Sequence, residues 1–200
     1  RWALSADGKT VFYHLDPEAA YSDGRIVKAQ DFLLNICLRT SGFARDPFWT
    51  TLFRSMYDQI TVYGDSVIAL TLPSRGPLLP YMACADFHPA HPGFYHDFNA
   101  LFLERYQWKA PPNTGGYMVV PAKIRIGESI TLARVKNWWA KDRKYYRHSC
   151  NADQVEHVFV NTENKAVEMF RRGELDTMNV RKPDVWEAGL ELPEVHRGDI

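Results

Sequence analysis

The sequence predicts a mixed α/β fold, and three of its features lead there. Turn pairs separate short runs of strand-favouring residues in the first half, an amphipathic helical pattern lies between two such hairpins, and a strand, helix, strand succession follows in the second half. With 46% hydrophobic and 14% aromatic residues among 200, there is enough apolar side chain for one large domain or two small ones.

Asp7 and Gly8 form a turn pair before Val11 to Leu15, a strand-rich run that reads as a hairpin arm, and a second turn pair stands at Asp23 and Gly24. From Lys28 to Arg39, the residues Ala29, Phe32, Leu33, Ile36 and Cys37 recur at helical spacing, and Asp31 suits the positive end of the helix dipole. Gln59 to Val62 and Ser66 to Leu72 flank Gly64 and Asp65, with Ile68, Leu70 and Leu72 on one strand face, so a second hairpin is expected. Pro77 to Cys84 and Phe94 to Tyr106 read as helices on either side of the loop HPAHPG, His88 to Gly93. Lys109 to Gly116, with paired prolines and paired glycines, is the natural junction between subdomains.

Beyond that junction, Tyr117 to Val120, Ser129 to Arg134 and Gln154 to Val160 read as strands. Thr162 can cap a helix that places Ala166, Met169 and Phe170 on one face, Gly173 fits its C-terminal end, and Leu175 to Val180 reads as a returning strand. The three together predict a βαβ unit with parallel strands.

Composition excludes some classes of function. The 24 basic and 24 acidic residues cancel, so no global field recruits nucleic acid or an anionic membrane. Cys37, Cys84 and Cys150 are widely spaced and form neither a zinc ribbon nor a dense disulfide framework, although one disulfide is possible. The chain begins at Arg1 without a signal peptide, and no apolar stretch has the length of a membrane span, so a trimmed, soluble chain is expected. No nucleophile elbow, phosphate loop, zinc-protease or dinucleotide motif occurs, so no catalytic residue and no cofactor is expected.

His88, His91 and His96, near Cys84, Asp86 and Asp97, are the weak candidates for a metal site; their spacing matches no compact zinc motif, and Pro89 and Pro92 explain the loop without a metal. Arg134 to His148 interleaves six cations with Trp138, Trp139, Tyr145 and Tyr146, a mixture suited to nucleic acid, but no recognised binding module frames it, and no nucleic-acid partner is expected.

Four segments in order resemble the family 5 extracellular solute-binding proteins, the oligopeptide-, dipeptide- and nickel-binding receptors of ABC importers. Trp2 to Leu15 followed by YSDGRIVKAQDF, Tyr21 to Phe32, resembles the family's W-S-D-G-x-P-V-T-A-x-D-hydrophobe signature. Asp58 to Leu72 with Pro73, Pro77, Leu78 and Leu79 is similar to its strand, turn, strand and helix. PNTGGY, Pro112 to Tyr117, resembles P-x-G-T-G-P-Y, and Ser129 to Arg134 with Asn137, Trp138 and Trp139 resembles the strand and R-N-x-x-Y-W that follow it. Gln154 to Val160 with Ala166, Phe170 and GELD, Gly173 to Asp176, is similar to the strand, helix and G-E-hydrophobe-D turn. The departures are Tyr21 for Trp, Ile26 for Pro, Gly115 and Gly116 for Gly-Pro or Gly-Ala, and Lys28 for a capping Thr, the last forfeiting about 1 kcal/mol.

The resemblance implies part of a periplasmic-binding-protein type II fold: a β-rich accessory subdomain of the N-terminal lobe at 1–108, part of the main N-terminal-lobe domain at 109–200, and a C-terminal lobe absent from the chain. It implies a monomeric receptor that captures a small solute, expected to be a peptide, in the periplasm and delivers it to the membrane subunits of an ABC importer. It places Phe48, Trp49 and Tyr117 near the ligand, against the plainer reading of core packing. The alternatives are a cytoplasmic solute-sensing domain of a transcription regulator and a nickel or other metal receptor.

Overall fold

The computed structural model describes residues 1–75 and 87–198. The helix expected at Pro77 to Cys84, and with it Cys84 and Asp86, lies outside the described residues. Contacts divide the chain into two compact units, Arg1–Ala122 with Thr131–Val155, and Lys123–Ile130 with Glu156–Ile200.

The first unit holds a four-stranded antiparallel sheet of β1 (Trp2–Leu4), β2 (Thr10–His14), β3 (Gln59–Tyr63) and β4 (Val67–Thr71) in the order β1-β2-β4-β3. Both hairpins form where the turn pairs predict them, with Gly8 and Gly64 at φ +69° and +62°, the left-handed region that favours glycine. Register sets Val11 opposite Leu70 and Thr10 opposite Thr71, whose hydroxyls lie 3.0 Å apart. Helices α1 (Ala29–Thr40) and α2 (Pro47–Met56) follow the first hairpin. Phe53 and Tyr57 join Val11, Ala29, Ile68, Leu70 and Phe87 in the principal core, each large apolar side chain contributing about 1.5–3 kcal/mol by burial.

Helix α1 divides its apolar residues between two clusters. Phe32 and Ile36 pack on the principal core, whereas Leu34 and Leu38 join a second cluster around Ala90, Phe102 and Tyr106, and Cys37 is exposed. The single stripe expected from periodicity is therefore wider, and Cys37 lies outside it. Helix α2 is signalled by Asp46, whose carboxylate accepts from the Trp49 N–H at 3.1 Å, and by Pro47 in its first turn.

The helix expected over Phe94 to Tyr106 shrinks to α3 (Phe102–Tyr106). Asn99 takes the Leu101 N–H on its side chain at 2.9 Å and the Phe102 N–H on its carbonyl, a local turn that displaces the helical ladder.

A second sheet contains β5 (Tyr117–Arg125), β6 (Ser129–Arg134) and β7 (Gln154–Val158) in sequence order. The Arg134 N–H donates to the Asp153 carbonyl and the Phe159 N–H to the Glu128 carbonyl, a pattern that makes β6 and β7 antiparallel. Helix α4 (Glu163–Arg171) in the second unit is capped by Thr162, and ends with Gly173 at φ +71° in paired 6→1 and 5→2 bonds, as Thr162 and Gly173 predict. The βαβ unit does not form among the described residues: Leu175 to Val180 belongs to no strand, because a strand exists only through a partner's backbone groups and none is supplied there. Helices α5 (Pro183–Leu190) and α6 (Pro193–Arg197) follow.

Candidate functional site

The YSDG segment and the start of α1 fold around a buried carboxylate. Asp31, 3% exposed, accepts from the Tyr21 hydroxyl at 3.2 Å, from both terminal nitrogens of Arg25 at 2.8 and 3.3 Å, and from the Lys28 backbone N–H at 3.0 Å. Asp31 thus caps α1 from inside its first turn, replacing the cap that Lys28 cannot supply, while the Lys28 ammonium reaches Asp65 at 2.7 Å. Burial, and then the Asp31 charge, push the Tyr21 phenol far above its ordinary value, and hydrogen bonding to Asp31 raises the Arg25 guanidinium.

The histidine loop docks on this network. The Asp31 carbonyl accepts from the Ala90 N–H at 2.9 Å. His91 is buried with its ring edge-on to Tyr21, centroids 4.7 Å apart. Its Nδ1 accepts from the Phe94 N–H at 3.0 Å, so in the neutral ring Nε2 carries the proton; Nε2 lies 2.9 Å from Asp23 Oδ2 but is not aligned for a hydrogen bond with it. His88 offers its carbonyl to the Asn35 amide at 2.6 Å, and the exposed His96 sits 3.1 Å from the Gly93 carbonyl. The three histidines thus have separate partners, and no three His, Cys, Asp or Glu side chains among the described residues are grouped to hold a metal.

The Gly-rich loop closes on the same region. The Ser22 N–H donates to the Asn113 carbonyl at 2.7 Å, and the indoles of Trp138 and Trp139 both donate to the Thr114 carbonyl, at 2.8 and 3.0 Å. Three motif segments remote in sequence therefore meet in one unit. A side chain at Gly116 would be crowded there: a Cβ would lie 2.5 Å from Cys150 Sγ and 3.1 Å from the Trp138 ring.

Beside this junction lies a depression of about 460 Å³, walled by Asn35, Leu38, Arg39, His88 to His91, Tyr95, Phe102 and the loop from Pro111 to Gly115. Its volume is within the range of small-solute sites, and its wall combines the rings of Tyr95 and Phe102 and three prolines with the polar side chains of Asn35, Arg39, His88, His91, Asn113 and Thr114. The Arg39 Nε donates to Asn35 Oδ1 at 3.1 Å, and its guanidinium carbon sits 4.8 Å from the Trp49 ring centre and 5.3 Å from that of Phe53. A guanidinium steadied on two rings is suited to gripping a carboxylate.

The three residues expected near a ligand have different surroundings from one another. Phe48 is 68% exposed at the start of α2, edge-on to Trp49 at 5.4 Å. Trp49 packs against the principal core and supports Arg39, while the Tyr117 hydroxyl donates to the Ala152 carbonyl at 2.9 Å. No ring contact among the described residues joins Tyr117 to the other two. Arg39, Asn35 and Tyr95 escape a sequence reading because nothing local distinguishes them; Arg39 looks like an ordinary basic residue in the last turn of a helix.

Comparison with known proteins places this geometry. The chain is 26% identical over 198 residues to a candidate binding protein of Brucella melitensis, covering 99% of this chain and 31% of that protein, so it spans about a third of the length of the curated relative it matches. It superposes on Haemophilus influenzae OppA in complex with the peptide RPPGFSPFR with a TM-score of 0.73 at 17% identity, over 96% of this chain and 38% of OppA. The open, unliganded periplasmic murein tripeptide binding protein MppA gives a TM-score of 0.73 at 16% identity with the same coverage. The fold is thus part of the periplasmic-binding-protein type II fold. Residues 1–197 match the profile of the middle part of the bacterial extracellular solute-binding proteins, family 5, and the chain belongs to that family of substrate-binding proteins.

Proposed function

We propose that this chain is part of the receptor of an ABC importer, a protein that captures a peptide in the periplasm and presents it to the membrane subunits without chemically changing it. Family membership over residues 1–197 carries the reading. The depression beside Arg39 supports it, because a peptide has a terminal carboxylate for the guanidinium and apolar side chains for the walls. In this reading 1–108 forms an accessory subdomain of the N-terminal lobe and 109–200 part of its main domain, a second lobe of the longer receptor closes over the solute, and Phe48, Trp49 and Tyr117 lie on the ligand side.

Thermal-shift titration of the full-length mature protein against pooled short peptides, nickel and oligosaccharides tests the proposal, since ligand at 100 times its dissociation constant adds about 2.7 kcal/mol of stability. A shift with peptides is expected, and Arg39→Gln should weaken peptide binding about tenfold, or about 1.4 kcal/mol. A shift with nickel alone, or none with any peptide pool, would overturn the peptide assignment.

A further inference from the structure

The end of β6 and the turn-rich segment after it concentrate charge in a neutral chain. From Arg134 to His148 it carries six Lys and Arg against Asp142 alone, a net +5, which leaves −5 for the remaining residues of a chain whose total is +0. Five of the six fall into two kinds. Arg134 pairs with Asp153, and Arg143 bridges Asp16 and Glu18 at 2.9 and 2.6 Å, contacts that fasten the segment to its own unit. Lys136, Lys141 and Arg147 are exposed, and none of them forms a salt bridge among the described residues.

Those three and Arg134 line one depression of about 430 Å³, with Asp142 the only acid on its wall. Like charges around a concavity repel one another and focus a positive potential into it, and within a Debye length of about 8 Å that potential is only partly screened. A monocarboxylate would neutralise one of them. A phosphate brings up to two charges and several acceptor oxygens, matching ammonium groups and a guanidinium fork. The indoles of Trp138 and Trp139, which a nucleic-acid reading would use for stacking, are instead anchored to Thr114.

We infer that this depression binds a phosphate group carried by a larger molecule, either a soluble phosphate ester or the headgroup of an anionic phospholipid. The site shares no residue with the depression around Arg39 and stands apart from the peptide reading.

The test uses the full-length protein and the variant K136Q/K141Q/R147Q, whose changes fall on exposed side chains and should leave the unfolding temperature in the absence of probe unchanged. Calorimetric titration with pyrophosphate probes the soluble form, and cosedimentation with phosphatidylglycerol vesicles, against phosphatidylcholine vesicles, probes the headgroup. Saturable pyrophosphate binding that weakens by about tenfold or more in the variant supports a soluble ester. Sedimentation with phosphatidylglycerol alone, lost in the variant, supports a headgroup. Lys144→Gln, on the same segment but outside the depression, should leave either signal unchanged. Binding of neither probe, binding retained by the triple variant, or an equal loss in Lys144→Gln would overturn the inference.

Discussion

Asp31 illustrates how one side chain can hold a motif together. It is buried, receives donors from Tyr21, Arg25 and Lys28, and presents its own carbonyl to Ala90. Asp31→Asn keeps the size but leaves the guanidinium without its countercharge and turns one acceptor into a donor facing other donors. A loss of about 2–4 kcal/mol is expected, discounted for the partial exposure of Arg25, and read as a shift of the denaturant midpoint at constant slope; a change below about 0.5 kcal/mol would mean that the network carries little of the stability. Tyr21 adds a pH dependence. Because its folded-state value is raised above the ordinary 10.0, the unfolded chain loses the proton first, so its contribution is complete below that pH and falls as pH rises beyond it. Tyr21→Phe should flatten the decline in stability between about pH 9 and about pH 11, and identical slopes would exclude Tyr21 as its source. The spacing of Tyr21, Asp23 and Asp31 was legible as a signature, but the docking of His91 on it was not, since that contact depends on a loop about seventy residues away.

At the scale of elements, legibility followed locality. The two hairpins, α1 and the capped ends of α4 are specified by residues within a turn of one another, and all form where expected. The helix over 94–106 shortened because Asn99 satisfies backbone groups locally, and 175–180 stayed unpaired because pairing is a long-range event. The Gly115 and Gly116 pair, a departure from the family loop, has a partner that sequence alone could not reveal: Cys150, itself at φ 57°, places Sγ where a Cβ on Gly116 would lie. Gly116→Ala should therefore cost about 1–3 kcal/mol through overpacking. Adding Cys150→Gly removes the obstructing sulfur and relieves the left-handed backbone, so the double variant should recover most of that loss in a double-mutant cycle. Additive effects would mean that the two positions do not oppose each other.

The two units differ in how much of themselves they bury. The first contains both hydrophobic clusters, whereas no residue of 156–198 whose burial is described falls in the buried class, although α4 carries Ala166, Met169 and Phe170 on one face. Opening free energy follows buried apolar contact, so backbone amides should exchange with solvent in the order this burial dictates. In hydrogen exchange read by mass spectrometry on the 200-residue chain, peptides from β2, β4 and the first turns of α1 should be the last to exchange, and those from α4 and α5 among the first. The amphipathic face of α4 is the kind that a globular protein covers, and the chain spans about a third of the length of the curated relatives it matches. In the full-length protein the same α4 peptides should slow by at least about tenfold while those of β2 and β4 change little, since only the former gain burial. Equal protection of α4 in both proteins would mean that its apolar face is already satisfied within these 200 residues, and would remove the reason to expect further chain to pack there.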